Sequence, residues 1–446
     1  MPRWVLPAIV VVGVALRLWR TTTQGLTFDE SYTAIVGRRS FGDLLEYLRS
    51  TDLHPPLDYL LRAPLASGGA NDFVIRFPSV LFSTAALALF AWWMRKRGWF
   101  GVIATALMAV STFQVFYGGE ARMYALLQLL GIAAAVIGEN WLRAPQRWHP
   151  WAVGLLVVVA VFDHVSGFLL AAGLFALAGA RRDRDAWRWR FGICAAVAIW
   201  IPVWGPSFLE QRHLPWSAWM PRTSVDAVAD TVSRHVVFAD GVELIVFAAV
   251  IVGGVLLVRG DRVLGRLWMA CGVVPFALAA LVGFFEGLMF DRTLTVASWA
   301  APLAIAWLIT VAMQKRRLLG VATATCVVAL ALIDSATFFA VKQWDYDVSI
   351  EQLQNVAEPG DVIAVRPELY GALVDWRIGV RGDLPATHTK VAGIPESFAL
   401  RLGQRDASGR VWLLTPVGSQ VRFPGLQSCA PKWTDDVTEI ICLRPG

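Results

Sequence analysis

Apolar positions along this chain gather into long runs separated by short, charged gaps. The first run is Trp4 to Trp19. After a polar stretch, Arg20 to Ile75, come runs at 76–94, 99–116, 122–142, 149–162, 165–180, 191–207, 241–258, 267–285, 293–313 and 318–338. A spanning helix needs ~20 mostly apolar residues, within about 17–25. The pattern therefore predicts an α-helical polytopic membrane protein with about eleven transmembrane helices. The first run is too long for a signal-peptide core and lacks a convincing cleavage site, so it is read as a retained helix. The runs at 149–162 and 165–180 are short and split only by Asp163-His164. They are read as two helices, because one helix would carry the next basic cluster to the wrong side.

The tail changes character. From about 340 it shows turn residues (Glu358-Pro359-Gly360-Asp361) and short β-rich runs at Val362–Val365, Val411–Leu414 and Glu439–Leu443. Residues 349–357 and 396–404 read as short helices between them. The expectation is a membrane-spanning domain over 1–339, holding the long loops 20–75 and 208–240, and a small α/β domain over 340–446.

Composition agrees with this division. Of the 446 residues 56% are hydrophobic and only 17% charged, against ~45–50% and ~25% in an ordinary soluble domain. A soluble globular enzyme and a disordered chain are both excluded. The net charge of +6 would suggest nucleic acid in a soluble protein. Here the basic residues cluster between runs: Arg95-Lys96-Arg97, Arg143 with Arg147, five Arg in 181–190, Arg259/Arg262/Arg266 and Lys315-Arg316-Arg317. They occupy alternate gaps, as the positive-inside rule requires. This places the N-terminus in the cytoplasm and the two long loops and the tail outside the plasma (inner) membrane. Many of the 21 Trp sit near run ends, where aromatic belts lie.

Of five Cys, Cys194, Cys271 and Cys326 fall in apolar runs and read as packing residues. Cys429 and Cys442 fall in the outside domain, where a disulfide persists, and are expected to pair. No Walker or dinucleotide loop follows a strand, no His/Cys spacing resembles a zinc site, and there is no internal repeat.

The candidate chemistry begins in the first external loop. Asp29 and Glu30 open a predicted amphipathic helix with apolar positions at Tyr32, Ile35, Val36, Leu44, Leu45 and Leu48. Acids are favoured at a helix N-terminus, so capping alone accounts for such a pair. His54-Pro55-Pro56-Leu57 opens a second amphipathic stretch, Arg76-Phe77-Pro78-Ser79 enters the second run, and the third ends at Glu120-Ala121-Arg122-Met123-Tyr124. Arg122 has two readings: interfacial snorkelling, or an anion site facing the bundle. Asp163-His164 reads as a turn first and a pocket residue second. In the 208–240 loop, Glu210, Arg212, His213, Trp216, Trp219 and Arg222 read as headgroup anchors first and lipid or sugar contacts second.

Taken in order, Leu16-Arg17-Leu18, Asp29-Glu30-x-Tyr32, His54-Pro55-Pro56-Leu57, Arg76-x-Pro78-Ser79 and Glu120-x-Arg122-Met123-Tyr124 resemble the GT-C fold membrane glycosyltransferases. The resemblance is to the family 39 and aminoarabinose-transferase-like branch. It is close over residues 10–180 and thinner over 190–335, where Asp291-Arg292 is similar to the family's Arg-Tyr position. It implies transfer of a sugar from a polyprenyl-phosphate donor to an acceptor hydroxyl on a glycan, lipid or protein at the extracytoplasmic face, with no nucleic-acid partner. Asp29 would be the general base and Glu30 would orient acceptor or base. Arg122, Arg292 and Arg76 would contact the donor phosphate. His54, Glu120, Tyr124 and His164 would line the site.

Two departures stand out: Gly119 where the family has Gln, and Thr293 after Arg292. The donor could be hexosyl or pentosyl, mannosyl and arabinosyl included, for cell-envelope glycan, glycolipid or protein glycosylation. A divalent metal beside Asp29 and Glu30 is an option the sequence does not require. The rival class is a multi-pass lipid or solute transporter or flippase. Its marks would be charges within the runs, interrupted helices and inverted repeats. The sequence shows few charges inside the runs and polar residues gathered at one face.

Overall fold

The computed structural model describes residues 4–68, 71–211, 220–341, 346–356, 362–365, 374, 376, 391–392, 410–416, 426–429, 432–434 and 438–445. Each apolar run meets a helix. Among the described residues, seven helices are long and apolar enough to cross a membrane, or up to nine if each of two bent pairs is one span. Two shorter apolar helices, His149–Asp163 and Gly167–Ala180, remain separate. The turn between these two is closed by backbone bonds from Gly167 N to His164 O (2.9 Å) and from Phe168 N to Val165 O (3.1 Å).

The described chain divides into two compact units. The first is Met1–Thr22, Ser40–Leu61 and Arg76–Ala340, and the second is Thr23–Arg39, Arg62–Ile75 and Val341–Gly446. Loop 20–75 is thus shared between them, where the sequence reading keeps it whole with the spanning helices. One physical reason is Phe28. It packs on the apolar cluster of the tail, made of Leu353, Val365, Val374, Trp412, Leu414, Ile440 and Cys442.

In the first unit, two of the spans are broken, and each break is held by side chains from other helices. Helix Gly98–Val110 bends by 52° into Thr112–Gly119. A break strands carbonyls that water cannot reach in a bilayer. Here each finds a donor. Arg17, fully buried in the first span, donates from Nη2 to Met108 O (3.3 Å) and from Nη1 to Ala109 O (3.2 Å). Ser335 Oγ donates to Val110 O (2.6 Å). Asp334 accepts from Thr112 Oγ1 and from Phe238 N (2.9 Å), so the last span also clamps the far side of the break.

The second break is the 66° bend between Asp291–Ala297 and Ala300–Lys315. Trp268, in a π-helical turn Trp268–Val273, donates from Nε1 to Ala300 O (2.9 Å). Segment Asp291–Ala297 lies directly on helix Tyr124–Arg143 at Gly131, where a Cβ would meet Val296 O at 2.1 Å. Only glycine admits that approach.

The external segment predicted as one amphipathic helix is two, Phe28–Val36 and Phe41–Thr51. The break falls at Gly37–Ser40, because Ser40 caps the second helix by accepting from Asp43 N (3.3 Å). The second stretch forms Leu57–Ser67, opened by the two prolines.

The second unit holds helices Phe28–Val36 and Tyr346–Val356 and strands β1 (Val362–Val365), β2 (Val391–Ala392), β3 (Val411–Pro416), β4 (Leu426–Ser428), β5 (Trp433–Thr434) and β6 (Thr438–Pro445). The sheet order is β2-β1-β3-β6-β4, with β5 also paired to β6. β1 is parallel to β2 and β3, and β6 is antiparallel to β3, β4 and β5. Trp412 opposes Cys442 and Leu414 opposes Ile440. This alternation, with period 2 along both strands, builds the cluster that Phe28 covers. Cys429 and Cys442 form a disulfide, Cα–Cα 5.3 Å. The expected helix at 396–404 and turn at 358–361 lie outside the described residues.

Candidate active site

Most of the candidate residues converge in the first unit. Ser79, on the helix entered by Arg76, donates from Oγ to Glu120 O and, at 3.4 Å, to Arg122 O. The chain turns tightly there, with Arg122 N on Glu120 O at 2.7 Å. That turn carries Arg122 inward, where it is 5% exposed. Its Nη1 donates to Tyr59 Oη (3.2 Å), and Tyr59 Oη donates to Asp52 Oδ2. Asp52 Oδ1 accepts from His54 N (2.9 Å). A carboxylate, a phenol and a guanidinium are thus linked in one line. Asp52 and Tyr59 are absent from the sequence candidates. The only signal for Asp52 is its place two residues before His54.

The His54 ring lies against the His164 ring, centroids 4.7 Å apart. His164 Nδ1 accepts from Ser166 N (3.0 Å) and bonds Ser166 Oγ (2.8 Å). Accepting at Nδ1 puts the proton of the neutral ring on Nε2. Burial holds His164 well below the usual histidine range, and His54, Arg122 and Arg292 push in the same direction. A neutral imidazole beside two guanidiniums is a hydrogen-bond donor that adds no charge. Tyr124 joins the group, 6.2 Å from the His164 ring and 5.9 Å from the Arg292 guanidinium.

Arg292 is presented by the short 3₁₀ segment. Asp291 Oδ1 accepts from Arg292 N (2.7 Å) and from Tyr117 Oη (2.8 Å), fixing the segment to the bent third span. Tyr117 packs on Tyr124 at 5.0 Å. His235, fully buried, sits between Phe113 (4.3 Å) and Phe276 (5.4 Å) on the same side, and burial lowers its pKa to about 3.

Gly119 has a local cause. Arg20 donates to Gly119 O at 2.7 Å, and a Cβ there would meet Arg20 Cδ at 2.9 Å. The room a Gln would need is filled by arginine from the first helix. Arg76 is fully buried and donates from Nη1 to Thr21 O (3.3 Å).

Asp29 and Glu30 lie in the second unit. Thr27 and Glu30 form a capping box: Thr27 Oγ1 accepts from Glu30 N (3.3 Å), and Glu30 Oε2 accepts from Thr27 N (2.8 Å). The fully buried Glu30 is therefore tied to the start of its helix, while the half-buried Asp29 stands one residue before it, outside the box. Among the described residues no group of three His, Cys, Asp or Glu is arranged to hold a metal ion. Arg212, His213, Trp216 and Trp219 lie outside the described residues. Arg222 and Glu210 are described, and Glu210 lines a surface hollow with Glu46 and Arg49.

This helical bundle with its C-terminal sheet region defines a membrane protein of the GT-C fold. The chain matches the crystal structure of ArnT from Cupriavidus metallidurans bound to undecaprenyl phosphate with a TM-score of 0.60, over 98% of this chain and 97% of that one, at 11% identity. It matches the apo state of the same protein with a TM-score of 0.58, over 98% and 97%, at 12% identity. No family model matches the chain, and no curated protein matches it in sequence.

Proposed function

We propose that the protein is a glycosyltransferase that moves a sugar from a polyprenyl-phosphate donor to an acceptor hydroxyl at the extracytoplasmic face. The observation that carries this reading is the buried Arg122 and the half-buried Arg292 near a neutral His164, on a GT-C fold. A site that must hold a lipid phosphate needs fixed positive charge in a dry place. Arginine provides an always-protonated fork suited to phosphate oxygens. His164 adds a neutral N–H donor, and Tyr124 supports Arg292 from the ring face. The similar ArnT structure holds undecaprenyl phosphate, which agrees in chemical class.

The reaction follows from the charges. The acceptor oxygen attacks the anomeric carbon, and the bond to the phosphate oxygen breaks with inversion. The departing phosphate monoester leaves as an anion, so it needs no general acid, unlike the glycosidic oxygens for which a carboxyl pair is used. The arginines stabilise it, and such fixed charge is worth most where water is excluded. One base takes the acceptor proton. We assign that role to Asp29, on the resemblance of Asp29-Glu30-x-Tyr32 to the acidic loop motif of the GT-C glycosyltransferases. Glu30 then sets the helix that carries Asp29. Arg76 is assigned with Arg122 and Arg292 to the donor phosphate, and His54 and Glu120 to lining the donor site. The transferred group is a hexose or a pentose, and the acceptor a glycan, lipid or protein hydroxyl. The protein is placed in the plasma membrane, N-terminus inside and tail outside.

The test is incubation of the purified protein with a panel of polyprenyl-phosphate sugars, reading release of polyprenyl phosphate. Release with at least one donor is expected, and Arg122→Ala and Arg292→Ala should each weaken donor binding. Asp29→Asn should stop turnover but leave donor binding intact. Silence across the panel would sink the reading. Normal turnover in Asp29→Asn would remove Asp29 as base.

A further inference from the structure

A second basic site lies where helix Asp72–Met94 ends, helix Gly98–Val110 begins and helix Tyr124–Arg143 ends. A cavity of about 340 Å³ opens there, lined by Trp92, Trp93, Arg95, Lys96, Glu139 and Arg143, among others. The positive-inside rule accounts for basic residues at such a place. It does not account for a cavity or for the order within it.

The order comes from Glu139. This carboxylate, on the last turns of its helix and 7% exposed at the side chain, accepts from Trp93 Nε1 (2.5 Å), Arg97 Nη2 (2.7 Å) and Arg143 Nε (2.9 Å). One anion thereby fixes two guanidiniums and an indole. Arg95 stacks its guanidinium over Trp92 at 4.1 Å and donates to Trp92 O. Four cations line the hollow with the Glu139 carboxylate, and Asp261 reaches Arg97 at 4.0 Å, so the wall keeps a surplus of positive charge held in defined geometry. The hollow falls in the size range of small-ligand sites, ~300–1,000 Å³. It sits at the ends of apolar helices, and Trp92 is half-exposed there, as aromatic residues near the ends of spanning helices are.

We propose that this hollow binds the phosphodiester headgroup of an anionic membrane phospholipid. Basic pockets between spanning helices suit such headgroups. Arg97 and Arg143 provide the fixed fork, and Arg95 and Lys96, both exposed, close on the phosphate from the water side. The proposal does not depend on the glycosyltransfer reading, because its test reads lipid binding and not turnover.

The full-length protein, delipidated in detergent, is titrated with phosphatidylglycerol and followed by native mass spectrometry. Phosphatidylcholine of equal chain length is the neutral arm, and millimolar inorganic phosphate the free-anion arm. Saturable binding of one phosphatidylglycerol is expected. The double variant Arg95→Ala/Lys96→Ala should bind it at least about tenfold more weakly, with a melting temperature close to that of the wild type because both side chains are exposed and Arg95 meets Trp92 at the surface. Phosphatidylcholine should bind no better than to the variant. Equal binding by variant and wild type, or by the two lipids, overturns the proposal. Displacement of the lipid by inorganic phosphate overturns the lipid as occupant and leaves a site for the free anion.

Discussion

Arg17 offers the sharpest test of how the spans are held. Replacing it by leucine removes four hydrogen bonds: to Ser83 Oγ (3.1 Å), Gly13 O (2.9 Å), Ala109 O (3.2 Å) and Met108 O (3.3 Å). Bonds from a charged donor contribute about 1.5–3 kcal/mol each, so the gross loss is about 6–12 kcal/mol. Against this stands the relief of unburying a charge, several kcal/mol. The deciding contribution is what remains behind. The Met108 and Ala109 carbonyls stay buried beside the bend with no guanidinium on them, at about 1–3 kcal/mol each. We expect Arg17→Leu to destabilise by about 2–6 kcal/mol, read as a clear fall in the melting midpoint of detergent-solubilised protein followed by tryptophan fluorescence. Arg17→Lys keeps the charge but lacks the fork that spans both carbonyls, and should fall between. Ser335→Ala strands Val110 O in the same bend, so its effect should not add simply to that of Arg17→Leu. An Arg17→Leu protein that melts with the wild type would refute the carbonyl account of the break.

His235, Gly119 and the tail disulfide give three further expected outcomes. His235 carries a folded-state pKa of about 3 against ~6.5 when unfolded, so below pH ~6.5 the unfolded chain binds the extra proton. Stability should be level above that pH and fall by up to about 1.4 kcal/mol per unit below it. His164 adds a slope of the same sign, and His235→Phe should flatten the profile of midpoint against pH by one proton's worth. Gly119→Gln should cost about 1–3 kcal/mol through collision with Arg20. The double variant with Arg20→Ala should recover much of that in the same melting assay, whereas equal loss in both would show that Arg20 is not the obstacle. In the tail, the Cys429–Cys442 disulfide closes a short loop of sequence separation 13, worth about 3 kcal/mol in the chain-entropy picture. Thiol labelling of non-reduced, denatured protein should modify neither cysteine, and reduction should speed proteolysis of the tail.

The helices and the order of the motifs are legible in the sequence because both are local. An apolar run states its own length, and a motif is read from neighbouring residues. The breaks are not legible, because their cause lies elsewhere in the chain. Nothing near Ser111 foretells a bend; its carbonyls are met by Arg17 and by Ser335, and Arg17 in isolation reads as one more motif residue. Asp52 and Tyr59 escape notice for the same reason. Their part in the site is a line to Arg122, 63 residues beyond Tyr59, and neither residue type is unusual in an amphipathic loop. The break between Phe28–Val36 and Phe41–Thr51 was open to reading, since Ser40 and Asp43 stand at capping distance. The apolar period runs across Gly37 and hides it.

The two departures from the family pattern bear on whether the site is degraded. A missing Gln at 119 and a missing Tyr at 293 would, taken alone, suggest a donor pocket that has lost contacts. In the structure each gap has an occupant from another element. The guanidinium of Arg20 takes the space and the backbone carbonyl at Gly119. The ring faces that Arg292 meets are those of Tyr124, at 5.9 Å, and Phe290, at 5.3 Å, so an aromatic support survives although the residue after Arg292 is threonine. A guanidinium thus stands at the Gly119 carbonyl, and aromatic faces stand by Arg292. A pocket released from binding an anion would be expected to lose its buried arginines first, since they are the most costly residues to keep there. Arg122 stays buried, and Arg292 stays seated on its aromatic faces. Under the proposed function, the two departures leave the positive charge of the site in place.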